Sequence, residues 1–266
     1  MKTVGVFDSG VGGLSVLRAL LAELPGVRFV YVADSAYAPY GERTVAEITD
    51  RSQRITGWLC DTHHIDALVV ACNTATALAI DSLRATHPDL PIVGVEPALK
   101  PAAAMSHTRH VGVLATRGTL NSERFARLRA QLENTATSPL HFICQPCDGL
   151  ADAIERDDTA AQQTLCERYV TALRHQAPGD MDTVVLGCTH YPFAADAMAQ
   201  LLGPDVALVD TGEAVARRTR DVLNRSGTTD AAAIAPVLLS TGDPAALSSA
   251  ARRWLGLPTR AEKLVA

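Results

Sequence analysis

Short runs of apolar residues alternate with segments whose apolar positions recur every three or four residues, from one end of the chain to the other. Val4–Phe7, Phe29–Ala33, Leu68–Ala71 and Ile92–Val95 read as buried strands. Between them, Leu14–Ala22, Val45–Cys60 and Thr76–Arg84 carry apolar residues at helical spacing. The pattern restarts with Val111–Leu114, Leu140–Ile143, Val184–Leu186 and Ala207–Val209, separated by helical stretches such as Asn121–Leu132 and Ala160–Gln176. Alternation of this kind predicts an α/β fold with mainly parallel sheets covered by helices on both faces. The polar stretch Ser226–Asp230 is the one loose connection.

The restart has the form of an internal repeat. Val4-Gly5-Val6-Phe7 is echoed by Val111-Gly112-Val113-Leu114, and Asp66–Thr74 is echoed in the same order by Asp182–His190. The second echo ends in cysteine plus a polar pair both times: Cys72-Asn73-Thr74 and Cys188-Thr189-His190. Two ordered echoes predict two similar doubly wound lobes, residues 1–97 and 98–206, with the active site in the cleft between them.

Composition narrows the function classes. The 266 residues carry a net charge of −5, with 47% hydrophobic and 20% charged positions, the profile of a folded globular protein rather than a disordered one. Residues 67–80 and 134–147, each 14 residues, are the longest stretches without Asp, Glu, Lys or Arg, shorter than the ~18 residues a membrane span requires. The apolar stretch before Asp8 is too short for a signal-peptide core, so the expected compartment is the cytoplasm, without membrane attachment. A mildly acidic balance without basic runs argues against nucleic acid as the main partner. Six cysteines are too sparse for a disulfide scaffold and read as reduced thiols.

In open α/β sheets, ligands sit beyond the carboxyl ends of the strands. There the chain places Asp8-Ser9-Gly10-Val11-Gly12-Gly13, then Asp34-Ser35 and Pro39-Tyr40-Gly41, then Cys72-Asn73-Thr74. In the second half it places Thr116 and Cys188-Thr189-His190. The glycine cluster lacks the dinucleotide fingerprint and the P-loop lysine, and reads instead as a tight turn presenting Asp8 and Ser9. Cys72 and Cys188 each end an apolar strand near the expected start of a helix, where backbone N–H groups favour the thiolate. Read bluntly, they are two buried cysteines; the repeat relates them and makes them a candidate pair. Such a pair serves either as a redox disulfide or as two acid/base groups on opposite faces of one carbon.

The strand-end segments, together with Gly94-Val95-Glu96-Pro97, Tyr191-Pro192 and Val209-Asp210-Thr211-Gly212-Glu213, resemble the glutamate racemases of the aspartate/glutamate racemase family from residue 4 to about 216. The resemblance implies an isomerase that interconverts L- and D-glutamate without pyridoxal phosphate, metal or other cofactor, supplying D-glutamate for peptidoglycan. By motif, Cys72 would be the base toward D-glutamate, assisted by Asp8, and Cys188 the base toward L-glutamate, assisted by His190. Asp8, Ser9, Tyr40, Gly41, Asn73, Thr74, Thr116, Thr189 and His190 would hold the substrate. The resemblance also implies that residues 207–266 return to the first lobe.

The lysine inventory agrees on one point. A pyridoxal enzyme needs a Schiff-base lysine; of the three lysines, Lys2 and Lys263 lie near the chain ends and Lys100 lies outside every strand-end motif. The roles of Asp34, and of Asp152 or Glu155 after the Cys144-Gln145-Pro146-Cys147 segment, stay open. His141, Cys144 and Cys147 have metal-like spacing but no second pair to complete a closed site, so no metal is expected. The rival readings are a racemase for aspartate or another acidic amino acid, a non-catalytic amino-acid-binding protein and a thiol–disulfide enzyme. The Thr189-His190 pair favours glutamate; paired thiols do not suit a binder, and neither cysteine has a Cys-x-x-Cys neighbour. A homodimer is the expected assembly.

Overall fold

The apolar runs become the centres of two parallel sheets, buried on both faces. A computed structural model describes residues 1–177, 179–224 and 233–265; the expected loose connection Ser226–Asp230 lies outside the described residues. The strands are β1 (Thr3–Asp8), β2 (Arg28–Ala33), β3 (Ala67–Val70), β4 (Ile92–Gly94), β5 (His110–Ala115), β6 (His141–Pro146), β7 (Thr183–Gly187), β8 (Ala207–Val209), β9 (Val237–Ser240) and β10 (Ala261–Lys263). The first sheet has the order β10-β9-β2-β1-β3-β4 and the second β6-β5-β7-β8, with every pairing parallel. The stretch β2-β1-β3-β4 and the whole second sheet therefore repeat one topology, which is the physical origin of the sequence echoes.

Two compact units result, Met1–Val95 with Gly212–Ala266, and Glu96–Thr211. Strand β8 is hydrogen-bonded to β7, Thr183 opposite Ala207, so the chain re-enters the first unit at Gly212 and not at 207. The re-entrant helix Gly212–Val222 packs on the helix Leu14–Glu23, and β9 then pairs with β2, Val30 opposite Val237. The apolar pattern does not reveal strands β9 and β10. Strand β10 is an exposed edge reading Ala-Glu-Lys, with no hydrophobic face to betray it.

Local chemistry sets the helix starts that matter for the site. Thr44 caps the helix Val45–His63 by accepting from Glu47 N, while Glu47 reaches back to Thr44 N, a reciprocal capping box. Cys72 itself caps the helix Asn73–Thr86, its Sγ accepting from Ala75 N at 3.5 Å. No helix among the described residues is long and apolar enough to cross a membrane.

Candidate active site

In the first unit, strand register brings the candidate residues to one edge of the sheet. Phe7 lies opposite Val70 and Asp8 opposite Ala33, so the residues that follow β1, β2 and β3 emerge side by side. Gly13 lets the helix after β1 start hard against that edge. A Cβ there would sit 2.6 Å from the Asp8 Cβ and 2.9 Å from the Tyr31 hydroxyl, so the glycine serves close packing. The Asp8 carboxylate accepts from Ser9 N at 2.6 Å and from Ser9 Oγ at 3.2 Å. The Cys72 thiol points its hydrogen at Ser9 Oγ, 3.8 Å away. A relay thus runs from thiol to hydroxyl to carboxylate. All three residues are buried, and the sulfur sits at the positive end of a 14-residue helix, which favours its anionic form.

Asn73 and Thr74 follow directly, and both are buried. The Asn73 Nδ2 and Oδ1 atoms have no hydrogen-bond partner. A buried amide left unsatisfied costs about 1–3 kcal/mol, so its donor and acceptor are available to a polar partner. Tyr40 is buried in the same apolar cluster as Cys72, whereas Gly41 is exposed.

The second unit repeats the arrangement with different chemistry. Ala115 lies opposite Gly187, so Thr116 and Cys188 leave adjacent strand ends. Gly187 is required by that approach: a Cβ would lie 2.9 Å from the Ala115 Cβ. Thr116 caps the short helix Arg117–Leu120, accepting from Thr119 N. Thr189 is buried beside Cys188. The Cys188 sulfur lies 3.7 Å from His190 Nδ1, and His190 Nε2 lies 2.8 Å from Glu155 Oε2.

Glu155 is thus the acid that meets the site, while Asp152, three residues earlier, pairs with Arg156. Sequence reasoning narrowed the choice to these two without deciding it. His190 needs an anion beside its second nitrogen, and that requirement was the available signal. Burial opposes protonation of His190, but its hydrogen bonds to Cys188 and Glu155 and their charges outweigh it and raise its pKa well above the ordinary value.

A stability signature follows. Unfolded histidine titrates near 6.5, so the contribution of protonated His190 is fully present below about pH 6.5 and is lost as pH rises through its higher folded value. Urea denaturation is expected to show stability falling by up to about 1.4 kcal/mol per pH unit above 6.5. Glu155→Gln should flatten that slope; an unchanged slope would mean that the carboxylate does not hold the proton on His190.

Two further candidates resolve differently. Asp34 is fully buried, and its carboxylate accepts from Tyr40, Arg51 and Thr241 within the first unit. His141 stacks on His110, with ring centroids 5.4 Å apart, and among the described residues no group of three or more His, Cys, Asp or Glu could hold a metal ion. Burial pushes the Cys144 and Cys147 thiols up, away from the reactive anionic form.

Comparison with known proteins places this geometry. The Asp/Glu/Hydantoin racemase family matches residues 4–219. Glutamate racemase of Ralstonia pickettii (strain 12J) is 47% identical over 262 residues, covering 98% of this chain and 90% of its own. Among solved structures, the Escherichia coli glutamate racemase in complex with L-glutamate and the activator UDP-MurNAc-Ala superposes with a TM-score of 0.85. It is 33% identical, with 99% of this chain and 98% of that chain covered. Glutamate racemase isoform RacE1 from Bacillus anthracis gives a TM-score of 0.86 at 29% identity, covering 99% and 97%.

Proposed function

The chain belongs to the Asp/Glu/Hydantoin racemase family, and from that premise we propose that it racemises glutamate with Cys72 and Cys188 as its two bases. It is an isomerase that interconverts L- and D-glutamate and so supplies D-glutamate for peptidoglycan. Starting from L-glutamate, the Cys188 thiolate takes the α-proton and the Cys72 thiol returns one to the opposite face. Each turnover leaves the thiol and thiolate exchanged, ready for the reverse direction.

The observation that carries this reading is the duplicated strand-end thiol with its own relay to a carboxylate. Cys72 follows β3 and is linked through Ser9 to Asp8; Cys188 follows β7, the equivalent strand, and is linked through His190 to Glu155. A free thiol is only a few per cent thiolate at pH 7, so each needs a neighbour that exchanges or stabilises charge. Ser9, Tyr40, Gly41, Asn73, Thr74, Thr116, Thr189 and His190 form the proposed substrate-binding set, in which the unpartnered Asn73 amide supplies an unused donor and acceptor. The proposed setting is cytoplasmic and the proposed assembly a homodimer.

Circular dichroism of the amino acid tests the substrate. With no cofactor added, L-glutamate and D-glutamate are each expected to decay to zero optical activity, while L-aspartate holds its signal. A flat trace with both glutamates, or faster decay of aspartate, would overturn the assignment.

A further inference from the structure

The Asp34 carboxylate is unusually fully engaged. Its Oδ2 accepts from the Tyr40 hydroxyl at 2.6 Å and from Arg51 Nε at 3.0 Å; its Oδ1 accepts from Arg51 Nη2 at 2.9 Å and from Thr241 Oγ1 at 2.8 Å. Two bonds to each oxygen leave little capacity for a substrate, so this acid at a strand end is not itself a ligand or base. Asp34, Arg51 and Tyr40 are all buried, and Arg51 neutralises a carboxylate that would otherwise stand as an uncompensated charge in the interior of the first unit.

Thr241 arrives from far along the chain, after β9 and beyond the 4–219 stretch that matches the family. Several contacts hold it. Its hydroxyl accepts from Ala36 N at 3.2 Å, its amide donates to Ala33 O at 3.0 Å, and Lys263 Nζ on β10 donates to its carbonyl at 2.6 Å. At the next residue, Gly242, a Cβ would lie 2.8 Å from the Ser35 Cβ. The C-terminal return is therefore fitted closely against the turn that follows β2. The turn Tyr40–Glu42 in its turn packs on the helix that Cys72 caps.

We propose that Arg51 and Thr241 are positioning residues that act through the Asp34 carboxylate to fix the Tyr40 hydroxyl and its turn beside Cys72. The geometry leaves the phenol proton committed to Asp34 and the phenol oxygen able to accept. Burial, and next the Asp34 carboxylate, keep that phenol far from ionising. The role of the last segment is then to complete the first unit's half of the site.

This inference rests on the glutamate reading above. Arg51→Met leaves Asp34 buried without its counter-charge and is prone to misfold, so the test uses Thr241. Thr241→Val, which keeps shape and loses the hydroxyl, is expected to lower kcat/KM for glutamate about tenfold, the scale of one hydrogen bond to a charged group. Thr241→Ser should retain wild-type values within about twofold. In a Tyr40→Phe background, Thr241→Val should cause no further loss, because the group being positioned is already gone. Losses that multiply in the double variant, or equal rates for the valine and serine variants, would overturn the positioning role while leaving racemisation standing. A wild-type protein inactive on glutamate would instead overturn the reading on which the proposal rests, and the proposal with it.

Discussion

Replacing either Cys72 or Cys188 by alanine is expected to abolish racemisation, lowering kcat at least about 10³-fold, within the range ascribed to a positioned acid/base group. Neither substitution should disturb the fold. Both sulfurs sit at strand ends and not inside a ladder, and alanine fills most of the same space. The Cys72 variant also gives up one weak cap contact, from Ala75 N at 3.5 Å. Kinetics with both enantiomers, beside far-UV circular dichroism and thermal melting, separates the two effects. Substantial turnover by either single variant, properly folded, would break the two-thiol assignment.

The second large effect is expected at the His190–Glu155 pair. His190→Asn removes the ring 3.7 Å from the Cys188 sulfur and should lower kcat by about 10²-fold with a small change in KM. Glu155→Gln keeps a hydrogen-bonding group against Nε2 but removes one of the two partners, beside Cys188, that favour the protonated imidazole; a loss of about tenfold is expected from one charge-assisted bond. Since Glu155 acts through His190, the double variant should be no worse than His190→Asn alone. A pure KM effect at His190 would reduce it to a substrate contact with no part in proton transfer, and additive losses would separate the two residues.

How much of this was legible beforehand depended on where each residue's partners lie. The central strands announce themselves because a parallel strand buried on both faces is apolar along its length, as Val4-Gly5-Val6-Phe7 and Val184-Val185-Leu186 are. The two thiols stand out for a related reason. A strand that ends in cysteine and a polar pair is an odd sequence to meet twice, and the shared topology of the two sheets explains the echo.

Partners that come together only in three dimensions were hidden. Asp152 and Glu155 share one short helix, and only the approach of His190 from 35 residues away selects the glutamate. Asp34 carried a motif position without a role. Its meaning lies in Arg51, 17 residues on along a helix, and in Thr241, 207 residues on, after a strand that the pattern did not reveal. That β8 belongs to the second sheet is a matter of its pairing with β7, which a short apolar run does not reveal.

The most direct test of two-thiol transfer is to follow the α-position of L-glutamate in D₂O by proton NMR, with chiral separation of the two enantiomers at early conversion. A two-thiol transfer predicts that D-glutamate forms with deuterium at the α-carbon while the remaining L-glutamate keeps its protium, since the proton is taken on one face and a solvent-derived deuteron returned on the other. Deuterium entering L-glutamate ahead of inversion, or D-glutamate forming with its original proton, would contradict it.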